Sequence, residues 1–517
     1  MAFFPFLGQI HLLDWDEVNF ALSSREMIES DNYLQVTVNG EPFWEKPPMF
    51  FWLQTVSFKV FENPEFAARF LSALAGLLTT ILIFFMGRQI ISPGFGLTWG
   101  LLYSGSALSL FISKMAIMDP TLNLFVLGGI FSYYRMITST YQSYIHTILA
   151  SISLSIAFLI KGPIAIVIPS IIFILYFIFY EKSKFNLKHN IFFILLFFIF
   201  SSSWYILESF RHGFWFIEQF VAYQFRLIAT SDAGHKGFFL FHFVVFMLLC
   251  FPASTFFIKG FTDYWKSDDF SKIMALLFSV VMVIFFIVQT KIVHYSSLVY
   301  VPGCYFSALS IRQFYKRERK SLTRLEWSLL GCSLAVYLIL TLIVPILVNQ
   351  PKIILPFIHD VNIVESITQD ITWPISGFFP GIFLLLLGII VCYLFYRKSI
   401  IPGLKFLIIA TMIFTNSLWA FYLPVLEKYL QGDLIHYYKE VKDQPIDLTT
   451  YKYGTYAHMF YGGKKVFNSV EDYNQSANRQ PHLHIITRKQ NQSQIEETYP
   501  VHLLHTFGQF LIYEYTP

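Results

Sequence analysis

The chain has 517 residues, of which 55% are apolar and only 14% are charged, and its formal net charge is +4. Soluble globular proteins carry about 25% charged residues, so this composition excludes a disordered chain and a disulfide-stabilised secreted domain, and it argues against a soluble enzyme. A net charge this small, without a basic patch, predicts no nucleic-acid partner.

Twelve apolar runs are long enough to form membrane-spanning helices, each of which needs about 20 apolar residues to cross about 30 Å of hydrocarbon. Residues 1–13 are apolar but too short to cross, so we expect either a further helix truncated at Met1, which we favour, or a surface segment. The sequence predicts an all-α polytopic membrane protein with about 12 to 13 transmembrane helices. The runs occupy residues 67–87, 94–113, 120–137, 144–160, 163–180, 190–207, 239–259, 272–289, 295–311, 326–348, 376–396 and 401–423.

Lysine and arginine residues concentrate in every second connection between these runs, most densely at residues 312–324. By the positive-inside rule, these connections face the cytoplasm. The other connections, which include residues 14–66, 208–238 and the tail, are then extracytoplasmic.

The two longest extracytoplasmic segments differ in character. Residues 14–66 contain an imperfect amphipathic stretch at 17–30 and a second helix that begins at Pro47 and Pro48, and both helices are expected to lie on the membrane surface. The tail is polar, and its segments 482–489 and 510–516 alternate as strands do. We predict a transmembrane domain over residues 1–423 and a small mixed α/β domain over residues 424–517.

Ionisable residues gather on the predicted outer face, although a charge at the bilayer centre costs about 2.5–3.5 kcal/mol. Singly, each has a structural explanation: helix caps for the aspartates, a solvated pair for Glu45 and Lys46, snorkelling for Lys161 and an interfacial anchor for Tyr295. Together they indicate a site for a phosphorylated, lipid-soluble substrate. They are Asp14, Asp16, Glu17, Glu45, Lys46, Asp119, Lys161, His235, Lys236, Lys291, His294 and Tyr295.

A polyprenyl phosphate that carries a sugar would suit such a site. Its phosphate gains negative charge as the bond to the sugar breaks, and lysines or a metal ion would stabilise that charge. Glu45 and His235 have the ligand chemistry of a divalent cation site for zinc, magnesium or manganese. An acidic residue would deprotonate or orient the acceptor, as it does in inverting glycosidases.

The segment "DWDEVNFALSSREMIESDNYLQVTVNGEPFWEKPPMFFWL" resembles the first periplasmic loop of bacterial aminoarabinose (lipid A) transferases, which are relatives of the protein O-mannosyltransferases. The resemblance continues in order through "AARFLSAL", "MAIMDPTLNLFV", "LIKGPIAIVIP", "FWFIEQF", "AGHKGFFLFH" and "TKIVHYSSLVYVPG", and it covers about residues 10–310. It implies the C-type glycosyltransferase fold. Asn19 departs from the pattern, since family members often carry an arginine there, and Arg25 is a candidate to replace that arginine.

The resemblance also implies roles for individual residues. Three acidic residues would form the catalytic group: Asp16, Glu17 and Asp119. Four residues would contact the donor phosphate: Lys46, Lys161, Lys291 and Tyr295. Glu45 and His235 would bind a divalent metal, if the enzyme uses one.

We therefore predict a glycosyltransferase of the bacterial cytoplasmic membrane. It would move a hexose or pentose from a polyprenyl-phosphate donor to a lipid, protein or glycan acceptor on the extracytoplasmic face, with inversion. The alternative is a flippase or other transporter for lipid-linked sugars, which could also use charges within the membrane. Transporters tend to show internal repeats and broken helices at the bilayer midplane. The sequence shows no internal repeat, and its charges lie at one face.

Overall fold

The computed structural model describes residues 2–139, 143–229, 237–358, 360–368, 371–463 and 466–516, and most of them are helical. Within these residues, seven helices are long and apolar enough to cross a membrane, or nine when each of two bent helix pairs counts as one span. The seven helices are Pro64–Ile90, Ser143–Lys161, Leu187–His212, Asp269–Ile287, Arg324–Val348, Ile375–Tyr396 and Ile400–Glu440. The bent pairs are Pro93–Gly105 with Ala107–Ser113, and Phe241–Leu249 with Ala253–Tyr264.

All twelve predicted runs coincide with helices, but three of these helices are too short or too polar to count as spans by length and composition. They are Asp119–Thr138, Ile164–Phe179 and Tyr300–Tyr315. Their chain neighbours on either side do span, so they complete the up-and-down path of the bundle. The predicted fold class is confirmed.

Two adjacent antiparallel helices bring distant charges to one end of the bundle. Helix Asp119–Thr138 begins at Asp119, and helix Ser143–Lys161 returns to end at Lys161. Glycines permit the close approach of the pair, because a Cβ at Gly129 would lie 2.5 Å from Cγ of Leu154. Two residues 42 positions apart in sequence therefore meet at the same level.

The first loop forms the predicted surface helices, Asp16–Glu29 and Met49–Val60, with Pro48 immediately before the second. A small hairpin, Thr37–Val38 with Glu41–Pro42, connects them. The carboxylate of Glu26 holds its turn by accepting hydrogen bonds from the Asn39 and Gly40 amides. The other surface helix is Trp215–Ala229.

The C-terminal domain is a four-stranded sheet with small helices, as predicted. In order across the sheet, the strands are Ile446–Thr450, His482–Arg488, Phe510–Tyr515 and Val501–Phe507, and only the first two are parallel. Its helices are Ala457–Gly462, Val470–Gln475 and Gln492–Thr498.

The predicted domain boundary at residue 423 needs correction, because it falls inside the 41-residue helix Ile400–Glu440. Pro424 does not end this helix. The wide π-helical turns Leu418–Tyr422 and Lys428–Gly432 flank the proline, and such turns adjust a helix to a residue without an amide donor. The sheet begins only at Ile446.

The sheet domain rests on the first loop through specific hydrogen bonds. The Tyr461 hydroxyl accepts from the Leu12 amide at 2.7 Å, and the Asn39 side chain donates to the Val466 carbonyl at 2.9 Å. Arg25 donates to the Phe460 carbonyl at 2.6 Å. Arg25 therefore attaches the loop to the domain, and the structure does not support its assignment as a phosphate ligand in place of Asn19.

A buried ion pair joins the N-terminal segment, the first surface helix and the first spanning helix. Arg69 is fully buried and binds both oxygens of Glu17, at 2.9 and 2.7 Å. Its other three donors go to the carbonyls of Leu7, Ile10 and His11. All five guanidinium N–H groups are thus satisfied.

The Glu17 carboxylate has two further donors besides Arg69. It accepts hydrogen bonds from the amides of Leu13, at 2.8 Å, and Ala116, at 2.7 Å. Ala116 lies three residues before Asp119. One carboxylate therefore fixes the loop that leads to Asp119 relative to the helix that begins at Asp16.

Replacing Glu17 with alanine should leave the Arg69 charge buried without a partner, at a cost of about 3–5 kcal/mol. The matched control is Glu29→Ala, because the Glu29 side chain is 64% exposed and its pair with Arg25 lies on the surface, where such pairs contribute about 0–1 kcal/mol. Unfolding of the purified protein in detergent measures both variants. Equal stability of the two would contradict the structural role of Glu17.

Candidate functional site

Two acidic residues, a lysine and a histidine converge at one end of the bundle. The Lys161 ammonium donates to both oxygens of Asp119, at 2.8 and 2.9 Å. The Nε2 atom of His294 lies 3.5 Å from an Asp16 carboxylate oxygen and 3.8 Å from an Asp119 oxygen. Residues that are up to 278 positions apart in sequence thus form one cluster.

The ends of helices position this cluster. Asp119 occupies the first turn of its helix, where the helix dipole favours an anion. Lys161 is the last residue of its helix, and Gly162 turns the chain with a φ of 72°. A side chain at Gly162 would be strained by this φ, and its Cβ would lie 2.7 Å from the Phe220 ring.

The short helical turn Val293–Val299 carries His294 and Tyr295. Two buried polar side chains hold this turn in place. Asn123 donates to the Ser297 hydroxyl at 2.8 Å, and the Nδ1 atom of His242 lies 2.9 Å from the Ser296 hydroxyl. The orientation of the turn is therefore fixed from both sides.

Asp16 is the accessible carboxylate of the cluster. Its side chain is 45% exposed, whereas the Asp119 side chain is only 5% exposed. Burial alone would raise the pKa of Asp16, but the hydrogen bond to His294 and the charges of His294, Lys161 and Lys46 lower it below its ordinary value of 3.8. Asp16 is thus an anion that a bound substrate can reach.

The surroundings of the Asp16, Asp119, Lys161 and His294 side chains are called the recess below. Lys46 lies at its edge. Its ammonium is 3.1 Å from the Tyr223 hydroxyl, 4.8 Å from the centre of the Tyr223 ring and 3.9 Å from the Glu45 carboxylate. The side chain is 16% exposed. The Lys46 charge acts on Asp16, so the two lie close enough to interact.

Tyr295 supports the second lysine. The Lys161 ammonium lies over the Tyr295 ring at 4.8 Å from its centre, a cation–π contact that orients the cation. An ammonium has three N–H donors, and within the described residues two of those of Lys161 go to Asp119. The cluster therefore combines an accessible anion with an oriented cation, and Lys46 lies near it.

Two of the predicted site residues have other functions in the structure. Glu17 is 2% exposed and binds Arg69 and two backbone amides, so it is a structural anion. Lys291 is 8% exposed and donates to the carbonyls of Phe285, Phe286 and Val288. It therefore satisfies the C-terminal end of helix Asp269–Ile287, and the structure does not place it as a phosphate ligand.

The predicted metal ligands do not form a centre within the described residues. His235 lies outside them, and Glu45 already faces the Lys46 ammonium. In the part of the chain that the structure describes, no group of three histidine, cysteine, aspartate or glutamate side chains has the arrangement of a metal site.

Sequence reasoning missed two contributors to the site. His294 stood among the outer-face charges, but no role was predicted for it, because a histidine beside an interfacial tyrosine has no distinctive spacing. Tyr223 gave no signal, since an aromatic residue on a surface helix resembles a lipid anchor. Both became visible only through contacts between elements far apart in sequence.

Several known proteins are similar to this chain in sequence. Residues 45–206 match the family model of dolichyl-phosphate-mannose-protein mannosyltransferases. An undecaprenyl phosphate-alpha-4-amino-4-deoxy-L-arabinose arabinosyl transferase of Wigglesworthia glossinidia brevipalpis is 26% identical over 346 residues, which are 63% of this chain and 60% of that protein. A protein of Aquifex aeolicus without an assigned function is also 26% identical, over 59% of this chain and 71% of its own.

The fold has a solved counterpart. The crystal structure of ArnT from Cupriavidus metallidurans bound to undecaprenyl phosphate superposes with a TM-score of 0.78. The match covers 99% of this chain and 96% of that chain, at 15% sequence identity. This likeness shows a shared fold over the whole length, including the C-terminal domain.

Proposed function

We propose that this chain, a membrane glycosyltransferase similar to the aminoarabinose transferases, transfers a sugar from a polyprenyl phosphate to an acceptor on the extracytoplasmic face. The observation that carries the proposal is the meeting of the accessible Asp16 carboxylate with His294, Asp119 and Lys161. Lys46 adds a second positive charge, which lowers the pKa of Asp16. The carboxylate would orient and deprotonate the acceptor, and the lysines would stabilise the negative charge on the phosphate of the donor. The transporter alternative is not favoured, because the named relatives are transferases.

The lysines act on the leaving group. The bond between the sugar C1 atom and the phosphate oxygen breaks, and its electron pair stays on the phosphate. Lys46 and the third donor of Lys161 stabilise that added charge, which is greatest in the transition state. Tyr295 keeps the Lys161 ammonium in position.

Asp16 and His294 act on the acceptor. The acceptor oxygen forms its bond to C1 on the face opposite the phosphate, so the configuration inverts. A hydroxyl acceptor loses its proton in this step. The Asp16 carboxylate orients the hydroxyl and takes its proton, and His294, 3.5 Å away, keeps this carboxylate in position.

The named relatives suggest undecaprenyl phosphate as the lipid and 4-amino-4-deoxy-L-arabinose as the first sugar to test. Lipid A, protein and glycan acceptors all remain in the proposal. Mass spectrometry of lipids and glycoproteins from a strain that lacks this gene identifies the product that disappears and the sugar lipid that accumulates. A deletion strain with unchanged glycolipids and glycoproteins would contradict the proposal.

Asp16→Asn should lower the transfer rate by about 10²- to 10⁴-fold, because it removes the proton acceptor. The variant keeps the size of the side chain, so the protein should fold normally. The measurement is product formation by the complemented deletion strain and by purified enzyme. The matched control is Asp31→Asn, at an exposed position of the same loop, and full activity of Asp16→Asn would contradict the role of Asp16.

Lys46→Ala should weaken the binding of undecaprenyl phosphate about 10- to 150-fold, since a hydrogen bond to a charged group contributes about 1.5–3 kcal/mol. Binding is measured with enzyme in lipid nanodiscs. The control is Lys59→Ala on helix Met49–Val60, where the lysine is exposed and donates to the Tyr33 hydroxyl. Unchanged affinity for undecaprenyl phosphate in Lys46→Ala would contradict phosphate binding at this recess.

The transfer rate to a hydroxyl acceptor should be about 10²-fold lower in His294→Gln, because this variant removes the side chain that lies 3.5 Å from the Asp16 carboxylate and helps to position it. Product formation by the purified enzyme measures the effect. His482→Gln, in the sheet domain, is the control, and an unchanged transfer rate in His294→Gln would contradict the role of His294.

The orientation of the protein forms part of the proposal. Helix Tyr300–Tyr315 continues directly from the turn that carries His294, and its 16 residues span about 24 Å. The basic segment 312–324 therefore lies at the opposite end of the bundle from Asp16. By the positive-inside rule, this arrangement supports a site on the extracytoplasmic side.

A membrane-impermeant maleimide should label Asp31→Cys in intact spheroplasts, whereas Glu318→Cys should react only after the membrane is permeabilised. Both positions are exposed, and they lie at opposite ends of the bundle. The unmodified protein measures background labelling of native cysteines. The reverse pattern would place the site in the cytoplasm.

A further inference from the structure

Trp15 has an unusual backbone conformation and an exposed side chain directly before Asp16. Its φ is 76° and its ψ is −110°, a strained combination for a bulky residue. The side chain is 54% exposed. Because burial does not explain the strained conformation, a surface function for the indole ring is the simpler explanation.

The C-terminal domain holds this ring in place. The edge of Tyr456 packs against Trp15 with ring centres 5.5 Å apart and an interplanar angle of 83°. Gly454 leaves room for the indole, since a Cβ there would lie 3.2 Å from it. The Asp14 carboxylate accepts from the Tyr456 amide at 3.1 Å, which ties the loop to the domain immediately before Trp15.

Tyr456 also belongs to the surroundings of the site. Burial and the negative charges of Glu45, Asp14 and Asp16 raise the pKa of Tyr456 to about 12. The tyrosine therefore belongs to the electrostatic surroundings of Asp16. Because Tyr456 packs against Trp15 and its amide donates to Asp14, the sheet domain contacts the first loop immediately before Asp16.

We propose that Trp15, held by Tyr456, is the platform on which the sugar ring of the lipid-linked donor stacks. This inference rests on the proposed function, because the sugar is bonded to the phosphate that Lys46 and Lys161 hold. The C–H face of a sugar is apolar and slightly positive, and it stacks on the negative face of an indole. An amino sugar would add a cation–π attraction.

The neighbours of Trp15 favour a sugar over the membrane as its partner. A tryptophan that anchors in lipid belongs to a belt on spanning helices. Trp15 instead contacts Tyr456 and Gly454, which lie between the first strand and the first helix of the sheet domain. It directly precedes Asp16, so a sugar bonded to the phosphate in the recess lies beside it.

The test compares affinities for undecaprenyl phosphate with those for the same lipid carrying 4-amino-4-deoxy-L-arabinose or mannose, with enzyme in nanodiscs. We expect at least one sugar to improve the affinity of the wild type roughly 2- to 13-fold, the equivalent of about 0.5–1.5 kcal/mol for aromatic stacking. Trp15→Leu should abolish this gain, Trp15→Phe should keep most of it, and Tyr456→Leu should reduce it.

The affinity for bare undecaprenyl phosphate should be the same in all three variants and in the wild type. The matched control is Phe214→Leu, at a 72% exposed aromatic residue before another surface helix, which should keep the full sugar gain. The proposal that Trp15 is a platform for the sugar would be contradicted if the sugar did not improve the affinity of the wild type. It would also be contradicted if the improvement in affinity persisted in Trp15→Leu. Weaker binding of the bare lipid in Trp15→Leu would also overturn it and would indicate a lipid anchor. Failure of the bare lipid to bind the wild type would instead refute the proposed function.

Discussion

The buried pair of Arg69 and Glu17 is the interaction on which the arrangement of the site depends. A buried ion pair is a weak source of stability, because desolvation offsets much of the attraction. Its effect here is geometric. Arg69 donates hydrogen bonds to three carbonyls of the N-terminal segment. Glu17 accepts hydrogen bonds from the amides of Leu13, which precedes Asp16, and Ala116, which precedes Asp119. The two acids of the recess are thus fixed relative to each other by a residue that never meets the substrate.

The site also shows how a membrane protein accommodates several charges at one place. Asp119, Lys161 and Asp16 lie at helix ends, where a charge costs less than it does at the bilayer centre. Each cation has partners that orient it: Asp119 and Tyr295 for Lys161, Tyr223 for Lys46. In the proposed function, donors that are already oriented would meet the phosphate with little reorganisation.

Much of this arrangement could be predicted from the sequence, and the failures have physical reasons. The twelve apolar runs all coincide with helices, because apolar content alone locates such segments, although three of these helices fall short of a span by length and composition. Asp16 and Glu17 could not be told apart, since consecutive residues on a helix point about 100° apart and only the fold decides which one faces the recess. A lysine is a suitable residue for a phosphate site, but the Lys291 ammonium donates its hydrogen bonds to backbone carbonyls at the end of a nearby helix. The role of His294 could not be predicted, because it depends on contacts between three segments that are far apart in sequence.

The helix Ile400–Glu440 has a mechanical consequence for the reaction. Its 41 residues reach about 60 Å, roughly twice the hydrocarbon thickness, so it extends well beyond the bilayer before the sheet begins. The helix leads into the sheet domain, which carries Tyr456. In the proposed function, the helix would hold this domain at the level of the lipid headgroups, where the phosphate of a polyprenyl phosphate lies.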